Sequence, residues 1–441
     1  MTDSLAGSLR PVSSVSQVRA FPAIQGDEHG CSRVMVGLLF TFAILAWSPL
    51  WIVIGFRGLI WVLGVMGAVA VHSSLTGRPM KRWVIAANIC IFGLAAIPAL
   101  YWGAIRVLVT PIFLVASLVL VGQSTRAEVS RFVDIASWFL LVVLIGAVLG
   151  FIFAQAGGQP LLHFPNPDGR PNFLYATTFT NSVVGRVIRP AGVYDEPGAL
   201  SFAVCLVAFM RHALNKDYRL SWLMLILGFI TLSLAHLVFV AVFLLAEQFT
   251  VRRVLVIASV VLLMAGAVFA SGVDEVFRQR LLVRVAITES GELAGDNRSR
   301  LMRNATAVIA EDWRVFAVGI SPRCMLGSEA CEDRVRSICC NPLATLAHHG
   351  ILIAWPYYLL MVVAVGAGVT GRAGLAFVAV ALLFLQRPNV LSIGYSSLAV
   401  LAVWLHVTGY RSQRAPHPDL YTHVGDARHA MGSIMTHGVS R

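Results

Sequence analysis

From residue 34 onward the chain reads as apolar runs separated by short polar breaks. The runs fall at 34–56, 58–74, 83–103, 107–123, 132–155, 197–214, 220–234, 236–251, 254–271, 342–368, 373–386 and 391–409. Most approach the roughly 20 residues that a helix needs to cross about 30 Å of hydrocarbon. The pattern predicts an all-α, polytopic transmembrane helix bundle of 12 spans, or 11 if the break at residues 233–236 is a kink in one long helix. Nine spans occupy 34–271 and three occupy 342–409. Residues 1–33 and 410–441 are polar and are predicted as disordered tails. Two long polar connections, 156–196 and 272–341, interrupt the spans.

Composition agrees with that class: of 441 residues, 57% are hydrophobic and only 13% are charged. The 34 basic residues against 22 acidic ones do not point to nucleic acid, because they sit between apolar spans. Their distribution predicts orientation. With the N-terminus inside, inner connections carry Arg78, Lys81, Arg82, Arg126, Arg131, Arg211, Lys216, Arg219, Arg252, Arg253 and Arg372. The short outer turns carry little beyond Arg57, Arg106 and Arg387. By the positive-inside rule both termini are expected in the cytoplasm, with both long connections outside.

The second long connection holds ten arginines and ten acidic residues, so it is a folded or ligand-binding segment and not a positive anchor. A cap at Asp296 or Asn297 opens an amphipathic helix to about Trp313. Leu301, Ala305, Val308 and Ile309 fall on one side, and Arg300, Arg303, Asn304 and Glu311 on the other. Such a helix is expected to lie on the outer membrane surface with Arg300 and Arg303 one turn apart. Cys324, Cys331, Cys339 and Cys340 crowd the same loop, which predicts at least one disulfide in an oxidising space. Metal binding is the weaker alternative, since no His or Asp lies at ligand spacing.

Charge is also concentrated just before the apolar run at 197, where the sequence from Arg186 to Phe202 includes Arg189, Gly192, Asp195, Glu196 and Pro197. Ionisable groups at a bilayer edge usually pair, snorkel or serve a substrate. The twelve-run layout, the Arg189-x-x-Gly192-x-x-x-Glu196-Pro197 run, and Ser299-Arg300-Leu301 leading to Phe316-Ala317-Val318-Gly319-Ile320 together resemble the O-antigen ligase and polymerase family. These are bacterial inner-membrane enzymes that move glycans from an undecaprenyl-diphosphate carrier at the periplasmic face. The resemblance covers roughly residues 34–410 and implies that Arg189 and Arg300 hold the carrier diphosphate. It also implies a chain-length regulator and other polysaccharide assembly proteins as partners, with membrane lipids around the bundle. Two departures stand out. Ligases carry a His-Asn pair where this chain has Cys339-Cys340, and many members have Ser-Arg where it has Ser233-Leu234. The Glu-Pro form of the first motif is closer to the polymerases.

The chemistry follows from the residues as well. Charge developing on a departing diphosphate needs a divalent metal or a group of arginines. With no Asp-x-Asp pair at the outer face, arginines without metal or cofactor are the expectation. Arg189 and Arg300 are the principal candidates, Arg186 and Arg303 further substrate contacts, and Arg278 and Arg284 an electrostatic guide. Asp195, Glu196 or His348 can serve as base for the acceptor hydroxyl. Ligation to another acceptor is the related alternative. A transporter or flippase of lipid-linked sugars is the alternative of a different class, disfavoured by the lack of a carboxylate deep in a span.

Overall fold

The computed structural model describes residues 28–46, 48–49, 58–165, 171–184, 187–246, 255, 259, 297–322, 338, 341–368, 379–383 and 393–414. It is mostly helical. Five helices fill the first third: α1 (Glu28–Phe40), closed by a π-helical turn at Thr41–Leu45, then α2 (Gly58–Thr76), α3 (Arg82–Tyr101), α4 (Val109–Gln123) and α5 (Arg126–Gln155). After a small β region come α6 (Pro197–Ala213), α7 (Tyr218–Gly228), extended by a 3-10 turn at Phe229–Thr231, and α8 (Leu234–Ala246). The last third holds α9 (Asn297–Glu311), α10 (Trp313–Val318), α11 (Ala344–His349), α12 (Ile351–Gly368) and α13 (Ile393–Arg414). Apolar residues of α1, α4, α5, α6, α8 and α13 share one continuous core.

Among the described residues two helices, α3 and α5, are long and apolar enough to cross a membrane by length and composition. Only 28% of the apolar window of α3 and 44% of that of α5 is buried. Outward faces therefore carry Ile89, Leu100, Trp138 and Val142, which is not how a helix in a water-soluble core is dressed. Helix α5 starts where it does because Thr125 and Glu128 form a capping box. The buried Glu128 carboxylate also takes a 2.9 Å hydrogen bond from Arg78, tying the α2–α3 turn to the start of α5.

Side-chain contacts fix the polarity of the helices. Arg78 with Glu128, Lys216 with Asp134 at 2.6 Å, and Lys81 over the Trp404 ring at 5.9 Å gather the basic turns at one end. Helix α13 runs parallel to α6, with Phe202 against Tyr395 and Phe209 against His406. At the opposite end lie the C-terminus of α5, the β region and the carbonyl of Val318, which accepts from the Trp102 indole at 3.3 Å.

The break at residues 233–236 is a chain reversal and not a kink. His236 Nε2 donates to the Leu225 carbonyl at 2.7 Å, and Trp222 and Phe243 meet edge to face at 5.5 Å. In one continuous helix those two rings would stand roughly 30 Å apart. Leu232, with φ of 48°, makes the turn.

Several expectations are corrected. The chain is not all-α: β1 (Leu162–Pro165), β2 (Pro171–Tyr175) and β3 (Thr178–Thr180) form an antiparallel meander, and β4 (Val183–Val184) pairs with β5 (Val187–Ile188). Thr, Val, Phe and Tyr dominate this stretch, and such side chains suit a pleated backbone. Helix α1 begins at Glu28 and α13 continues to Arg414, so both extend into segments expected as tails. The run at 342–368 divides at Gly350 into α11 and α12. The run at 254–271, apart from residues 255 and 259, and the four loop cysteines lie outside the described residues, as do Arg186, Arg278 and Arg284.

Candidate functional site

The Arg189-to-Pro197 run is the return strand of a longer hairpin. Val184 pairs with Val187, Val183 with Ile188 and Phe179 with Gly192, all in one antiparallel register. The Arg189 N–H donates to the Ser182 carbonyl at 3.1 Å, and Phe179 N–H to the Gly192 carbonyl at 2.7 Å. Gly192 has φ of 62°, and a Cβ there would overlap Val143 of α5, so the motif glycine lets the hairpin lie against that helix. Glu196 occupies the N-cap position of α6 and Pro197 its first turn, a place where proline costs no hydrogen bond. Asp195 and Glu196 are both half-buried, and each has an interaction partner.

Arg189 reaches from this hairpin to the α7–α8 reversal. Its Nε and Nη2 donate to the Thr231 carbonyl at 3.2 and 3.1 Å, and Nη2 also donates to Leu232 at 3.0 Å. The guanidinium therefore caps the carbonyl end of α7, where orphan acceptors and the negative helix pole favour a cation.

A second unit at the same end is built from α9, α10 and α11. The predicted amphipathic helix is present as α9, with Ala305 and Val308 buried and Arg300, Arg303 and Glu311 exposed. Its apolar face packs on Ile320, Ile338 and Ala347, and so meets protein where a lipid surface was expected. Asp312 ends the run by capping α10, its carboxylate accepting from the Arg314 N–H at 2.9 Å. Asn341 joins the pieces: its amide donates to Leu301 and Ile338 carbonyls and accepts from the Leu343 N–H.

The Val318-Gly319-Ile320 backbone crosses that of His348-His349-Gly350 at contact distance. Ile320 N–H donates to the Ala347 carbonyl at 2.9 Å. Gly319 and Gly350 both have positive φ, 80° and 71°, and a Cβ on either would overlap backbone of the other strand. His348 is held in the short α11, ahead of the apolar helix α12, and not within a span as expected. Its Nε2 is buried and has no hydrogen-bond partner among the described residues. Burial lowers the imidazoles from their ordinary value, His348 to about 4 and His349 to about 3.

Arg189 and Arg300 thus stand at the same end of the bundle on separate supports, the hairpin and α9. The Thr231 and Leu232 carbonyls and Asn341 escaped sequence reasoning. Backbone acceptors leave no composition signal, and Asn341 was overshadowed by the adjacent Cys339-Cys340 pair. Among the described residues no group of three or more His, Cys, Asp or Glu side chains is placed to hold a metal.

Comparison with protein-family models, with curated proteins and with solved structures finds no match to this chain.

Proposed function

We propose that this chain is a polytopic membrane glycosyltransferase of the O-antigen polymerase type, taking glycan from an undecaprenyl-diphosphate carrier. The reading places the twelve spans in the bacterial inner membrane, both termini in the cytoplasm and the working face in the periplasm. Support for the membrane comes from the exposed apolar faces of α3 and α5 and from the collection of basic turns at one end. Support for the chemistry comes from one observation above all. The arginine-bearing hairpin and the arginine-bearing face of α9 are built at the end opposite those basic turns.

In the proposed reaction an acceptor hydroxyl loses its proton to Asp195, Glu196 or His348 and attacks the anomeric carbon. The bond from that carbon to the diphosphate breaks. Arg300 and Arg303, exposed on α9, stabilise the charge arriving on the departing phosphates, and Arg189, which orders the adjoining reversal, adds its positive charge. No metal is needed in this scheme.

Purified protein in vesicles, supplied with lipid-linked oligosaccharide, should lengthen or transfer the glycan, and should do so in chelator. Relocation of an unaltered substrate across the bilayer would replace this reading with a flippase. Dependence on added divalent ion would remove the arginine mechanism.

A further inference from the structure

A cleft of about 420 Å³ opens at the basic end, far from the proposed reaction site, between α5, the α6–α7 turn and α7. Asp134, Trp138, Arg211, Asp217, Arg219 and Leu223 line it. Much of its charge is already matched. Buried Arg211 donates to Asp134 at 3.4 Å, to Ser137 and Ser221 hydroxyls, and to the Asp217 carbonyl at 3.0 Å. Lys216 closes on the second Asp134 oxygen at 2.6 Å. The formal charges of Asp134, Asp217, Arg211 and Lys216 cancel, which leaves Arg219 as a surplus cation at the rim. Arg131, which does not line the cleft but lies exposed one turn before Asp134 on α5, adds a second nearby. Neither guanidinium has an ion-pair partner among the described residues.

The cleft continues into an apolar track. Trp138, Val142, Ile145, Leu149 and Ile152 follow at helical spacing along one face of α5, each between 47% and 65% exposed. Leu223 of α7, 44% exposed, stands across from Trp138. Surplus positive charge, an indole and a long exposed apolar stripe thus follow one another in the order that a phospholipid presents phosphate, ester region and acyl chain.

We propose that this cleft seats the headgroup phosphate of an anionic phospholipid from the leaflet at the basic end. Arg219 and Arg131 are its donors, and an acyl chain lies along the Trp138–Ile152 stripe. A guanidinium fork suits phosphate oxygens, and a monoanionic diester offsets half of the surplus charge. The proposal rests only on the membrane-spanning part of the function argued above and not on glycosyl transfer.

Native mass spectrometry of the full chain in detergent, titrated with phosphatidylglycerol and with phosphatidylcholine, reads the site directly. Phosphatidylglycerol should bind at least about tenfold more tightly, and the Arg131→Gln/Arg219→Gln double variant should lose that preference. Both residues are exposed, so the variant should fold. Brominated phosphatidylglycerol should quench part of the tryptophan fluorescence, and Trp138→Phe should remove that part. Equal binding of the two lipids, or undiminished preference in the double variant, would overturn the proposal. Displacement by glycerol phosphate at the same concentrations would overturn it in favour of a soluble phosphate. A carbonate wash separates the two levels: a chain released from membranes defeats the membrane reading, whereas one that stays but shows no lipid preference defeats only this site.

Discussion

Arg189 donates three hydrogen bonds to two carbonyls, so its loss acts on structure as well as on chemistry. Arg189→Ala should lower stability by about 2 kcal/mol, the scale of hydrogen bonds from a charged donor. Arg300, exposed on α9, should cost under about 0.5 kcal/mol when changed to Ala. If both serve the diphosphate, each substitution should cut turnover by about 10² to 10³. Thermal melts beside glycan assays separate the effects, and full activity in Arg300→Ala would remove it from the site. The histidines give a pH signature. Both are held below the ordinary imidazole value, so above about pH 6.5 they are neutral whether the chain is folded or not. Between pH 6.5 and about 4 the unfolded chain binds protons that the folded His348 refuses, and stability falls. The melting midpoint should therefore decline across that window, less so in a His348→Gln/His349→Gln variant. An unchanged slope in that variant would contradict the buried neutral pair. The positions of Arg300 and Arg303 were legible because helical periodicity assigns faces. The partners of Arg189 were not, since they are main-chain oxygens more than 40 residues away.

At the level of elements, the α7–α8 reversal and the Gly319–Gly350 crossing carry most of the local architecture. A Trp222→Cys/Phe243→Cys pair should be joined by a short bifunctional maleimide, read as a mobility or mass shift, because these side chains meet across the reversal, whereas one continuous helix would hold them roughly 30 Å apart. Failure to cross-link in membranes would restore the single kinked helix. Gly319→Ala and Gly350→Ala should each destabilise by at least about 1–3 kcal/mol from backbone conformation alone, with the clash adding to it. Chemical unfolding of the two variants measures this. Amphipathic patterning identified α9, but it did not say that the apolar face would meet α11 and Ile338 in place of lipid. Periodicity gives the width of an apolar face and is silent on what covers it. The β hairpin was missed for a related reason: strands of two to five residues inside a long connection are too short to show a clear alternation.

For the whole molecule, the contacts make two chemically distinct ends, one holding Arg78, Lys81, Arg211 and Lys216, the other holding Arg189 and Arg300. In a chain with its native cysteines replaced, impermeant maleimide applied to bacterial cells with a leaky outer membrane should label Arg300→Cys readily. It should label Lys216→Cys only after the inner membrane is opened. The reverse pattern would invert the orientation and move the proposed site to the cytoplasm.

Sequence alone determined that apolar helices dominate, roughly where most of the described ones begin and end, and which turns carry positive charge, because hydrophobicity and charge are properties of residues in local order. Tertiary structure decided that the break near residue 233 reverses the chain, and that Arg189 seals a helix end. It also decided that the His348 Nε2 is buried with no hydrogen-bond partner among the described residues. Each of those depends on atoms distant in sequence meeting at contact range, which no local pattern encodes.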